Sequence, residues 1–153
     1  MTINNQNRAA WIKLFYYLLI FLYLATTIVL IYLQVKPIYP IVGAISFFVI
    51  LCIAFSLLLN LNFIIYKESE TKVILRYYPL HPFHHQFKSI EISKNTLSHF
   101  DLDMKLFGLR PEITLYQQTE RGLAKYPSVS ISSLSKSSRK EIINSLQKNS
   151  LKK

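Results

Sequence analysis

The sequence predicts a membrane α-hairpin joined to a small α+β domain, an antiparallel sheet or open barrel with a C-terminal helix. Three observations carry this reading. Residues 14–33 form a 20-residue run without a charge, and residues 41–59 form a second apolar run after a short proline-containing break. The chain beyond them changes to the alternating pattern of strands, and residues 135–149 return to helical spacing.

Each apolar run is long enough to cross a bilayer, since roughly 20 residues at about 1.5 Å rise span a hydrocarbon core of ~30 Å. The expected organisation is a cytoplasmic tail at 1–13, a transmembrane helix at 14–33 and an extracytoplasmic turn at 34–40. A second transmembrane helix at 41–61, a sheet domain with its helix at 62–149 and a basic tail at 150–153 complete it. A cleaved signal peptide fits less well: the first apolar stretch exceeds the usual length and no small-residue cleavage site follows Leu33. Trp11, Tyr16 and Tyr17 at one end, and Tyr32 and Tyr39 at the other, suit the two headgroup layers. Pro37 and Pro40 favour a tight return.

Charge sets the expected orientation. Arg8, Lys13 and the amino terminus precede the first span, Lys67, Lys72 and Arg76 follow the second, and Lys36 alone lies between them. Cytoplasmic flanks are enriched in cations, so both termini are expected in the cytoplasm, with the hairpin in the cytoplasmic (inner) membrane. The interior of each span lacks an ionisable Asp, Glu, Lys, Arg or His, which disfavours a channel or pump. In the second span Cys52, Ser56 and Asn60 recur every four residues, with Ala44 and Phe48 on the same line. Such a stripe reads as a helix-packing face, toward Ala25 and Thr26 of the first span or toward another copy of the chain.

Strands are expected at 62–67, 72–78, 87–92, 98–104, 112–117 and 123–131, with Glu120, Arg121 and Gly122 as a hairpin turn. In the last helix Ile142, Ile143 and Leu146 share a face; Ser138 with Glu141 offers a capping box, and Ser135 is an equally good N-cap.

Residues 1–67 hold no acid, while all eight acids and fifteen of the eighteen Lys and Arg lie from Lys67 onward, giving that part net +7. Next to a membrane, this excess points first to anionic lipid, with Lys67, Lys72 and Arg76 as the candidate headgroup contacts. Nucleic acid is not expected, because the cations are scattered and no aromatic-basic recognition motif accompanies them. Cys52 is the sole cysteine, so no disulfide forms within the chain. His81, His84, His85 and His99 are the metal-capable nitrogens, but most sit in a proline-rich turn without a converging ligand set. Asp101 and Asp103 alternate with Phe100, Leu102 and Met104 and read as the wet side of a strand. Three glycines cannot assemble a phosphate-cradling loop. No catalytic residue, metal or cofactor is expected.

The segment Lys72-Val73-Ile74-Leu75-Arg76-Tyr77-Tyr78 runs into Pro79-Leu80-His81-Pro82-Phe83, then Phe87-Lys88-Ser89-Ile90-Glu91-Ile92. With Tyr126-Pro127-Ser128-Val129-Ser130-Ile131-Ser132-Ser133-Leu134 before the helix, this order resembles small bacterial membrane proteins carrying a pleckstrin-homology-like (PH-like) domain. The likeness covers most of residues 60–148. It implies a PH-like fold of seven strands, against six read here, and an interaction or assembly role rather than catalysis. Expected partners are membrane lipids and a protein in the membrane or at its cytoplasmic face. The alternative is a structural or accessory subunit docking through its hairpin.

Overall fold

The computed structural model describes residues 1–81 and 86–150. A short strand β1 (Thr2–Asn4) leads into helix α1 (Gln6–Tyr32), a brief connection, and helix α2 (Ile38–Leu59). Strands β2 (Asn62–Glu68), β3 (Lys72–Pro79), β4 (Lys88–Ser93), β5 (Leu97–Lys105), β6 (Arg110–Thr119), β7 (Gly122–Lys125) and β8 (Val129–Ser130) follow, then helix α3 (Lys136–Asn149). The coarse fold expected from sequence is present: two long apolar helices, then a small antiparallel sheet domain and a C-terminal helix.

Both long helices are long and apolar enough to cross a membrane. At about 1.5 Å per residue α1 measures about 40 Å and α2 about 33 Å, so α1 has turns to spare. Those turns pack on the domain, where Ala9 and Tyr16 are buried. Farther along, most side chains of both helices face outward, as in a helix that is apolar on all sides. A side-chain hydrogen bond joins the arms of the hairpin, Tyr23 Oη to Ser46 Oγ at 2.9 Å. Asn60 ends α2 in the left-handed conformation, at φ +46°, a backbone state that Asn tolerates better than most residues. Only Leu61 then separates it from β2.

Two sheets form the domain. The first has the order β1-β2-β3-β4, and the second the order β5-β6-β7 with β8 also paired to β6; every pairing is antiparallel. Alternation sends Ile64, Tyr66, Val73, Leu75, Ile90 and Ile92 of the first sheet inward, where they join Ile113 and Leu115 of the second and Ile142 and Leu146 of α3 in one core. α3 closes this core with its apolar stripe.

The structure departs from the sequence reading in countable ways. Among the described residues eight strands replace the expected six, because three residues at the amino terminus form β1 and because the segment 123–131 splits into β7 and β8 at Pro127, which has no N–H for a ladder. The tail expected at 1–13 is instead β1 and the first turns of α1. Pro40 falls inside the first turn of α2, where its missing N–H has no helical partner to lose. Ser135, not Ser138, caps α3: its Oγ accepts from the Ser138 N–H at 3.0 Å, while Glu141 accepts from Ser137 Oγ.

α3 is held by polar contacts as well. Ser145 Oγ donates to Glu68 Oε2 at 2.7 Å and accepts from the Tyr66 hydroxyl at 2.6 Å. Lys94 Nζ and Asn149 Nδ2 both donate to Glu68 Oε1, at 2.7 and 2.8 Å. The Lys94 hydrogen bond, then those from Ser145 and Asn149, lower the Glu68 carboxyl from 4.5 to about 2. Burial pushes the Tyr66 hydroxyl up to about 12. A depressed carboxyl contributes stability above its unfolded value of 4.5 that is lost as pH falls through about 2. Glu68→Gln is expected to lower stability by about 1–2 kcal/mol at neutral pH, and to flatten the wild-type loss below pH 4.5. Paired urea titrations at pH 7 and pH 3 measure both effects.

Candidate functional surfaces at the helix and sheet junction

The junction between hairpin and domain is built from buried amides and hydroxyls. Asn5, immediately before α1, donates from Nδ2 to the Asn62 carbonyl at 2.9 Å and to Ser133 Oγ at 2.8 Å, and its Oδ1 accepts from the Ile64 N–H at 2.8 Å. Asn62, the first residue of β2, donates from Nδ2 to the Ser130 carbonyl at 3.1 Å, and its own carbonyl also accepts from Ser133 Oγ. Asn5, Asn62, Ser130 and Ser133 are all at most 5% exposed. The start of α1, the end of α2 and the last strand are thus tied into one knot, and β1 pairs with β2 beside it, Asn4 opposite Ile65.

A second tie lies a strand away. Glu112, 1% exposed, is held by Arg110 Nη2 at 2.5 Å and by Lys105 Nζ at 2.7 Å. Burial opposes its charge, but the Lys105 hydrogen bond and the Arg110 and Lys105 charges outweigh this and hold its carboxyl below the usual range. Arg110 Nη1 also donates to the Leu58 carbonyl at 3.1 Å, and Ser130 Oγ to the Leu59 carbonyl at 3.2 Å. These satisfy carbonyls that the end of a helix leaves without partners.

The outward face of the first sheet is the open surface. Register places Lys67 opposite Ile74, and Arg76 between Ile65 and Ser89. Lys67, Lys72 and Arg76, expected as headgroup contacts, therefore share this face. Arg76 is paired with Glu91 at 3.4 Å. At about 3.3 Å per residue Lys67 lies about 17 Å along β2 from Asn62, so joint contact with headgroups requires the sheet to lie along the bilayer. At the helix end, Tyr78 packs between Phe63 and Phe87 at 4.9 and 4.5 Å. Lys13 of α1 reaches over the Tyr78 ring at 5.1 Å.

Of the expected helix-packing stripe, Cys52 and Ser56 line an apolar groove between the helices with Trp11, Phe15 and Tyr16, and Ser56 Oγ donates back to the Ile53 carbonyl. Asn60 acts through its backbone as the end of α2, and Phe48 is 63% exposed. Ala44 is exposed too. Farther along α2, Ile45, Phe48 and Val49 line a second groove shared with α1, and Ser46 bonds Tyr23.

His81 lines a small cavity at the junction with Tyr16, Ser56 and Asn60. His99 lies elsewhere, stacked on Tyr116 at 4.3 Å. His84, His85 and the tail residues 151–153 lie outside the described residues. Among the described residues no three His, Cys, Asp or Glu side chains gather in a metal-binding arrangement. Asp101 and Asp103 stand opposite Thr114 and Glu112 on the outward side of the second sheet.

Sequence reasoning missed Asn5, Asn62, Ser133 and Glu112. An Asn just before a helix reads as an N-cap, and nothing local reveals that its amide is spent on residues 57 to 128 positions away. What geometry defines is a pair of apolar helices fused at both ends to a small antiparallel sheet domain. No protein-family model, curated protein or solved structure matches the chain.

Proposed function

We propose that this chain is a membrane-anchored, non-catalytic interaction module, its hairpin crossing the inner membrane twice and presenting a basic, PH-like domain at the cytoplasmic face. One observation carries the reading. β1 precedes the hairpin and β2 follows it, yet the two are paired in one sheet. A hairpin so closed has both ends on one side of any membrane it spans, and the cation distribution favours the cytoplasmic side. The Asn5 and Asn62 knot leaves the domain no tether to swing on, so its outward sheet face is offered at a fixed distance from the bilayer. That face, with Ile65, Ile74 and Arg76 beside Lys67 and Lys72, combines apolar and cationic groups suited to an acidic protein segment or to anionic headgroups.

The test uses the full chain, extracted from its native membranes in mild detergent, with bound partners identified by mass spectrometry. Ile74→Glu with Arg76→Glu on the outward face is expected to remove the partners, and Ser56→Leu in the hairpin groove to leave them. The reverse pattern would replace this reading with an accessory subunit docked through its helices.

A further inference from the structure

The β5–β6 hairpin ends in apolar side chains that the domain does not use. Lys105 pairs with Arg110, leaving residues 106–109 as the turn. Phe107 is fully exposed at 107%, Leu109 is 57% exposed and Leu106 is 37% exposed; Met104, just below, is 61% exposed. Leu106 and Phe107 hold positive φ, +50° and +55°, a conformation that side chains other than Asn, Asp or Gly seldom adopt. A polar Asn-Gly pair would form such a turn at lower cost in water. The sequence places two large apolar residues there instead.

The position of this tip is fixed. Arg110 at its base donates to the Leu58 carbonyl in the last turn of α2 at 3.1 Å, and is itself locked onto buried Glu112. The apolar tip therefore stands beside the point where α2 leaves its apolar span. We propose that residues 106–109 insert into the interfacial layer of the same bilayer, as a third anchoring point alongside the two helices. This rests on the membrane placement given above. The occupant is the phospholipid interface, because the tip is continuous with the end of the hairpin and an exposed Phe beside Leu gains most from the boundary between headgroups and acyl chains. Glu112 already engages Lys105 and Arg110, so insertion is apolar in origin and needs no anionic lipid. Its consequence is orientation: with a third point held, the rigid hairpin and domain cannot tilt freely against the bilayer.

Tryptophan quenching in phosphatidylcholine liposomes tests this on the full chain. Trp11, the single tryptophan, is replaced by Phe, and one new tryptophan is introduced as Phe107→Trp or, in mid-hairpin, as Phe47→Trp. Phe107→Trp is expected to emit at shorter wavelength than tryptophan in water. Lipids brominated near the headgroup end of the chain should quench it about twofold, with no change in high salt. Quenching at the Phe47 position without quenching at the Phe107 position would overturn the insertion and leave the hairpin in the membrane. Absence of quenching at both would overturn both readings. A blue shift at the Phe107 position without bromine quenching would mark a protein contact and also overturn the proposal.

Discussion

Asn5→Leu is expected to lower the stability of the domain by about 3 kcal/mol, the effect of stranding buried polar partners. The side chain is 5% exposed and makes three hydrogen bonds, all to residues on the far side of the hairpin in sequence. Leucine has similar volume but returns none of them. The Ile64 N–H, at the inner edge of β2, loses its acceptor in a place water cannot reach. Asn62 keeps the Ser133 hydroxyl, so the loss falls mainly on the β1 side. The structural readout is thus specific: β1 should separate from β2, and a protease should cut near Asn4 well before the remaining sheet unfolds. Asn4→Ala, at an exposed neighbouring position, should shift the urea midpoint by less than about 0.5 kcal/mol equivalent. Equal effects of the two substitutions would mean that the knot contributes nothing beyond chain connectivity.

Arg110→Met is expected to lower stability by about 3 kcal/mol, because it leaves a buried carboxylate short of a cation. Glu112 is 1% exposed, and its remaining partner Lys105 is half exposed, which weakens that pairing through solvent screening. The substitution also orphans the Leu58 carbonyl at the end of α2. With Arg110 gone, burial acts less opposed and the Glu112 carboxyl rises, so the variant should gain stability on mild acidification where the wild type loses it. The double variant Arg110→Met with Glu112→Leu should recover much of the loss, since apolar replacement of a buried ion pair is close to neutral. If the double variant is as unstable as the single one, the Leu58 contact, not the ion pair, is the main contribution.

What was legible in the sequence is what periodicity and length determine. The helices announce themselves by charge-free runs, the long strands by alternation, and α3 by Ile142 and Leu146 one turn apart. The turn at Glu120 and Arg121 was legible too, with Gly122 at φ +116°. What was not legible depends on partners distant in the chain. Thr2–Asn4 is too short to alternate and becomes a strand only because β2 presents a free edge some sixty residues later. Val129–Ser130 is a strand by virtue of Ile113 and Glu112 opposite it. Four-residue spacing put Asn60 on one line with Ser56, and the two line a small cavity with Tyr16 of α1; the left-handed backbone by which Asn60 ends α2 was not legible. Glu112 occupies an outward position that alternation assigns to solvent, and only β8 with the two flanking cations explains its burial.

The central claim is that one sheet closes the hairpin, so that both ends of the apolar pair share one side of a membrane. Single-cysteine labelling tests it most directly, with Cys52→Ser as background and cysteines introduced singly as Gln6→Cys, Lys36→Cys and Glu120→Cys, all at exposed positions. In intact cells, an impermeant maleimide should label the Lys36 position alone, and the other two only after the membrane is opened. Labelling of the Gln6 and Glu120 positions from opposite sides, or of all three from one side, would contradict the account.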